Sequence, residues 1–229
     1  MTRALHSERS EHAFPNLPEQ VARRIADAVI RGELEPGAHL REQEFSDRYG
    51  VSRGTVREAI RILERDGVAT IIPRRGAVVT SLAADEIREV YEVREVLFGQ
   101  AAALCAERRP DTLPAELAGI VHQMAAHARD GDVTVYAALS NRLAVTIIAA
   151  SRNARLLDLF NRMSLQIARY TNAGLMRPQR RAESLANWKR LVASIGEGDA
   201  GGAERMAREQ IRRVKEEVVG KLETPETRV

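Results

Sequence analysis

The chain has 229 residues, 44% hydrophobic and 29% charged, with a formal net charge of +3. That balance describes an ordinary globular chain, long enough for two small domains or one large one. No apolar run is read as reaching the roughly 20 residues of a membrane span, and residues 1–11 lack the apolar core of a signal peptide. The expected compartment is therefore the cytoplasm, with no membrane partner. Cys105 is the only cysteine, which excludes an internal disulfide and a cysteine-based zinc site.

Residues 1–14 show no periodicity and read as a flexible tail. Asn16-Leu17-Pro18-Glu19 opens a first helix, with Pro18 in its first turn and Val21, Ile25, Ala28 and Val29 as its apolar stripe. Gly32 and Pro36-Gly37 stop it. A second helix is expected over 41–49, closed by Gly50. Ser52 then caps a third, which turns Val56, Ile60 and Leu63 inward and ends at Gly67. After that the period changes. Segments 68–72 and 77–80 are short and β-branched, and Pro73-Arg74-Arg75-Gly76 makes the turn of a hairpin between them. From residue 85 onward all else reads helical, over 85–108, 113–129, 133–150, 155–173, 178–197 and 199–222, with residues 223–229 as a frayed tail. The fold class is mostly α, a winged helix-turn-helix over 15–80 followed by an all-α bundle over 85–222.

Three short helices and a hairpin form the winged helix-turn-helix order. The turn Tyr49-Gly50-Val51-Ser52 is tight enough to set helices two and three at a steep angle, so that the third can enter a major groove. Between Arg48 and Gly76 seven arginines face three acidic residues, a local charge of +4. Arginine is the side chain best suited to bidentate phosphate and guanine contacts, although such a run also describes a solvated helix face. Ser52, Arg53, Gly54, Thr55 and Arg57 sit where base edges and phosphates would lie, at a helix N-terminus whose free N–H groups favour anions. Arg74, Arg75 and Gly76 form the wing tip.

The run Leu40-Arg41-Glu42-Gln43-Glu44-Phe45, then Gly50-Val51-Ser52-Arg53-Gly54-Thr55-Val56-Arg57-Glu58-Ala59-Ile60-Arg61-Ile62-Leu63, then Asp66-Gly67 and Arg75-Gly76-Ala77-Val78-Val79 resembles the GntR family of bacterial regulators. The resemblance implies DNA contacts at Arg41, Arg53, Thr55 and Arg57, with Gly76 as the wing glycine. Gly54 departs from the larger residue many members carry, and Pro73-Arg74-Arg75 departs from common wing sequences.

Residues 85–222 resemble the all-helical effector domain of the FadR subfamily, the FCD type, through Tyr91-Glu92-Val93-Arg94, Ala150-Ser151-Arg152-Asn153-Ala154-Arg155-Leu156 and Gly198-Asp199. Many such domains hold a divalent metal with one Asp and three His. Alignment on the shared motifs puts Ser140, Ala144, Trp188 and Gln210 at those positions, and no His lies in the last four helices. Serine and glutamine are weak transition-metal ligands, and alanine and tryptophan offer no donor lone pair. The expectation is that the metal site is lost and that the protein carries no cofactor. Arg94 interrupts the apolar stripe of its helix. A buried guanidinium is expensive without a partner, which leaves two readings: an effector carboxylate, as the resemblance implies, or an internal Glu. Trp188 reads either as plain core or as a ligand wall. The expected effector site is Arg94, Phe98, Ser140, Ala144, Trp188 and Gln210.

No phosphate loop, zinc-helix motif or nucleophile elbow is present, so the chain is read as no enzyme. The resulting expectation is a homodimeric regulator, a repressor, that binds an inverted-repeat operator in double-stranded DNA under control of a small-molecule effector. The alternative is an effector-independent DNA binder whose helical domain is only a dimerisation scaffold.

Overall fold

The computed structural model describes residues 16–129 and 131–223. The expected tail at 1–14 lies outside the described residues, and of the tail expected at 223–229 only Glu223 is described, as the last residue of a helix. The chain divides between Val79 and Thr80 into two compact units.

In the first unit, α1 (Leu17–Ile30) starts with a reciprocal cap. Asn16 Oδ1 accepts from the Glu19 N–H at 3.0 Å, and the Glu19 carboxylate accepts from the Asn16 N–H at 2.9 Å. α2 (Glu42–Tyr49) ends on Gly50 at φ 65°. α3 (Arg53–Arg65) is capped by Ser52, whose Oγ accepts from the Thr55 N–H at 3.1 Å. Val21, Ile25, Phe45, Val56, Ile60 and Leu63 close the core between the three helices. β1 (Ala69–Ile72) pairs antiparallel with β2 (Gly76–Val79), in the register Ala69–Val79 to Ile72–Gly76. The segment before α2 joins this hairpin as well. His39 bridges Val78, the Leu40 N–H donates to Ala77 at 2.8 Å, and the Val79 N–H donates to Ala38 at 2.9 Å. The sequence carries no signal for this pairing, because three residues are too few to show a period of two. Arg41 likewise proves to be the N-cap of α2 and not its first turn.

The second unit holds α4 (Ala84–Arg108), α5 (Leu113–His127), α6 (Val133–Ala150), α7 (Ala154–Gly174), α8 (Pro178–Glu197) and α9 (Ala200–Glu223). α4 packs along α9, with Arg212 on Glu95 at 2.7 Å and Lys215 on Glu92 at 3.6 Å across their shared edge. Ile87, Phe98, Ala101, Cys105, Leu117, Met124, Ile147, Phe160, Leu191 and Ile195 lie in one continuous core. α6 corrects one expectation. Its 18 residues have a mean hydropathy of 1.5, long and apolar enough by composition alone to cross a membrane. Here Tyr136, Leu143, Ala144, Ile147 and Ile148 turn into the bundle.

α5 stops at His127 instead of running to residue 129, and Arg181 accounts for the difference. Its buried guanidinium donates to the carbonyls of His127 (3.2 Å), Arg129 (2.6 Å), Leu175 (3.0 Å) and Met176 (2.8 Å). It thereby satisfies carbonyls that a helix end and a loop leave without partners.

Candidate nucleic-acid interface and effector site

The α2–α3 turn is fixed from within. Phe45 is fully buried and stacks on Tyr49, and Ser46 Oγ donates to the Val51 carbonyl at 2.6 Å. These contacts set the angle at which α3 leaves the unit and keep its N-terminal face outward. Ser52, Arg53, Gly54 and Arg57 are exposed there, and Thr55 is half-buried with its Oγ1 2.9 Å from Ser52 Oγ. Arg41 is exposed at the start of α2.

Glu42, on α2, lies among these arginines. Its two carboxylate oxygens accept from Arg57 Nε and Nη2, each at 2.8 Å, and Arg53 Nη2 lies 3.8 Å away. The hydrogen bond from Arg57 holds the Glu42 carboxyl below the usual carboxylate range and raises the Arg57 guanidinium in turn. Glu42 was absent from the residues singled out in the sequence. A carboxylate 15 positions before an arginine carries no local signal, and only the helix-turn-helix angle brings the two together.

At the wing, Pro73 and Arg74 are the central residues of a turn closed by the Arg75 N–H on the Ile72 carbonyl at 3.0 Å. Arg74 sits at φ 64°, and Gly76 follows at φ 86°. This is the turn in which proline suits the first central position and a left-handed residue the second. An arginine there costs on the order of 1–2 kcal/mol relative to glycine. Arg74, Arg75 and Gly76 are all exposed. Gly54, by contrast, has no left-handed backbone, and a Cβ built on it meets only Ser52 Oγ at 3.6 Å. Nothing in the free protein requires glycine at that position.

In the helical unit Arg94 is 8% exposed. Its Nη1 donates to Ser164 Oγ at 2.6 Å, and its guanidinium lies over the Phe160 ring, 4.1 Å from the centroid. Its Nε is buried without a hydrogen-bond partner. This sets aside the internal Glu as its partner. Among the described residues no carboxylate pairs with Arg94; a hydroxyl and an aromatic face stand in for one. Burial lowers its pKa to about 10, so it remains charged at neutral pH.

Phe98 packs between Phe160 and Trp188, with ring centroids 5.6 and 5.8 Å apart. Trp188 is 2% exposed, lies edge-on to Phe98 and donates from Nε1 to Ser140 Oγ at 3.1 Å. Arg94, Phe160, Phe98, Trp188 and Ser140 thus form one chain of contacts in that order, with Ala144 buried on the same helix as Ser140. Gln210 belongs to a different group. Its Nε2 donates to Ser184 Oγ at 2.8 Å, and its Oε1 accepts from Asn187 Nδ2 at 3.0 Å. Ser184 and Asn187 were missed, although Arg181, Ser184, Trp188 and Leu191 recur at helical spacing on one face of α8. The apolar stripe alone passed over its polar members. An open groove of about 460 Å³ runs between α5 and α8, lined by Ala125, Ala128, Arg129, Ala182, Leu185 and Lys189. None of the six expected effector residues lines it.

The donor set does not fit a divalent cation. Ser140 already accepts from Trp188, Gln210 is engaged at both ends of its amide, and Ala144 and Trp188 have no lone pair to give. No group of three or more His, Cys, Asp or Glu side chains is placed to hold a metal among the described residues.

A helix-turn-helix with an exposed arginine-bearing third helix and a wing, joined to a six-helix unit, defines the class of bacterial DNA-binding transcription regulators. Residues 17–79 match the bacterial regulatory proteins of the gntR family, and residues 89–213 match the FCD domain. The chain belongs to the GntR family and carries an FCD domain. It is 35% identical over 75 residues to the uncharacterized HTH-type transcriptional regulator YdhC of Bacillus subtilis, covering 33% of this chain and 34% of that protein. It is 30% identical over 151 residues to a probable D-xylose utilization operon transcriptional repressor of Paenarthrobacter nicotinovorans, covering 64% and 66%. The chain therefore spans about a third and about two thirds of the length of these two curated relatives. Its fold is similar to that of E. coli McbR/YncC, with a TM-score of 0.77 at 20% identity over 87% of this chain and 95% of that one. Regulators of this family bind DNA, and the family is one of transcription regulators and not of enzymes.

Proposed function

We propose that the protein is a cytoplasmic transcriptional repressor that binds an inverted-repeat operator as a homodimer and is controlled by a small anionic metabolite held at Arg94. The name of the Paenarthrobacter relative supports repression. In this reading Arg53 and Arg57 take base edges, and Ser52, Gly54 and Thr55 line the approach of the duplex. Arg41, Arg74, Arg75 and Gly76 hold its backbone.

The observation that carries effector control is the buried Arg94 guanidinium, with a partnerless Nε and no carboxylate partner among the described residues. A carboxylate is the group that best offsets a buried guanidinium, because two parallel N–H···O bonds satisfy it. Phe98, Phe160 and Trp188 surround that position with rings, which favours an acid with an apolar body. Ser140 and Gln210 supply polar contacts once their present partners yield, and Ala144 leaves room beside them. With no cation to hold the acid, Arg94 carries the charge recognition alone.

A second reading has its own support. Trp188 is packed on Phe98 and tied to Ser140, so the space is filled as it stands. The helical unit would then serve only as a dimerisation scaffold. A thermal-shift screen of aromatic and aliphatic carboxylates on the full chain separates the two. Under effector control at least one acid raises the unfolding temperature, by about 2.7 kcal/mol of stabilisation at a hundredfold excess over Kd. The same acid weakens operator binding, and Arg94→Ala abolishes both effects while keeping operator affinity. If no acid shifts the wild type and the protein is a dimer by light scattering, the scaffold reading holds.

A further inference from the structure

We propose that Glu42 is a specificity-determining residue, whose carboxylate aims the recognition-helix arginines at base edges and withholds them from indiscriminate phosphate contact. The inference rests on the reading that α3 enters the DNA groove.

A guanidinium has two edges that can make paired hydrogen bonds, one formed by Nε and an Nη, the other by the two Nη groups. Glu42 occupies the first edge of Arg57 with both of its oxygens, each at 2.8 Å. The second edge stays free, and the Arg57 side chain is 56% exposed. It is the edge that meets guanine O6 and N7 end-on. The pair therefore leaves Arg57 able to read a base while fixing the direction in which it points. Arg53 stands 3.8 Å from the same carboxylate, 61% exposed, so one anion serves both arginines.

The pair contributes little to the fold. α2 and α3 are already joined by the buried Phe45 and Val56 and by the Ser46–Val51 hydrogen bond. An ion pair this exposed contributes little to stability. Its consequence lies in the field at the DNA-facing surface. One carboxylate among these arginines cancels a positive charge there and would meet each phosphate that approaches with repulsion. Random-sequence DNA is held by phosphate contacts almost alone and loses most from that repulsion. A cognate sequence regains the loss through the aligned base contact.

The test uses the full-length chain and two probes: a duplex enriched from a random pool by the wild-type protein, and a shuffled duplex of the same composition. In Glu42→Gln the shuffled duplex should bind about tenfold more tightly, with a salt slope steeper by up to about 0.9 as one more phosphate is engaged. The enriched duplex should keep nearly the same affinity, so the ratio of the two affinities falls about tenfold, the scale of one bidentate base contact. The unfolding temperature should stay unchanged. Arg57→Lys keeps the charge but lacks the second edge, and it should lower the ratio with Glu42 intact.

An unchanged ratio and salt slope in Glu42→Gln would overturn the proposal. So would an equal loss of affinity for both duplexes together with a lower unfolding temperature, which would make Glu42 a fold residue. If the wild-type protein enriches no sequence at all, the failure lies in the reading of α3 as a DNA reader, and it appears before any variant is made.

Discussion

Arginine has opposite environments in the two units. On α3 the side chains of Arg53 and Arg57 are 61% and 56% exposed, share one carboxylate and keep most of their hydrogen-bonding capacity open. In the helical unit Arg181 is 4% exposed and spends its donors on four backbone carbonyls, while Arg94, at 8%, has one hydroxyl, one ring face and an unused Nε. The residue type is the same throughout, and its surroundings decide its part. An exposed arginine is available for a large anionic partner. A buried one with every nitrogen engaged is structural. A buried one with a donor left over retains capacity for a ligand.

The largest test of this contrast falls on Arg181. Arg181→Ala strips donors from four carbonyls, each buried unsatisfied group costing about 1–3 kcal/mol, partly relieved by water. A loss of about 3–5 kcal/mol in urea unfolding is expected. A loss under 1 kcal/mol would show that the clamp is dispensable and that burial of an arginine says little about its role. Next come the exposed arginines. Arg53→Ala and Arg57→Ala should each weaken binding to an enriched duplex by about 1–3 kcal/mol. Their unfolding temperatures should match the wild type. Full affinity in the double variant, read by fluorescence anisotropy, would remove α3 from the interface.

The smallest effect is expected at Gly54. A Cβ there has room and replaces a helix glycine, so Gly54→Ala should stabilise the first unit by roughly 0.5–1 kcal/mol. If the duplex backbone approaches closely at that turn, the same variant binds DNA more weakly. A more stable protein with unchanged affinity would show that the glycine serves neither fold nor DNA.

Much of the local structure was legible because its causes are local. Asn16 with Glu19 three residues on, Ser52 before a 3.6-residue apolar repeat and Gly50 after Tyr49 each act within a few positions, and the helices begin and end beside them. α8 spans Pro178–Glu197 as the periodicity predicts, with Pro178 at its start and Gly198, at φ 76°, at its end. The hairpin followed from β-branched residues on both sides of a Pro-to-Gly turn. The segment around His39 was not legible, since its hydrogen bonds go to a strand almost 40 residues later. The apolar content of α6 also shows how composition alone misleads. A helix packed among α4, α5 and α7 needs apolar residues on several faces, and its hydropathy rises toward that of a membrane span.

The sequence by itself determined the order of elements, the caps and turns, and the family signature, because these depend on intrinsic backbone preference and on spacing within one helix or hairpin. Tertiary structure decided which polar groups meet. It placed Glu42 against Arg57 across the helix-turn-helix, Ser164 and the Phe160 ring against Arg94, Trp188 against Ser140, and Ser184 and Asn187 against Gln210. A buried polar group takes the nearest partner that geometry supplies, whatever its distance along the chain. That choice is fixed only when the helices have packed, and here it sets which arginines keep an unused donor and which do not.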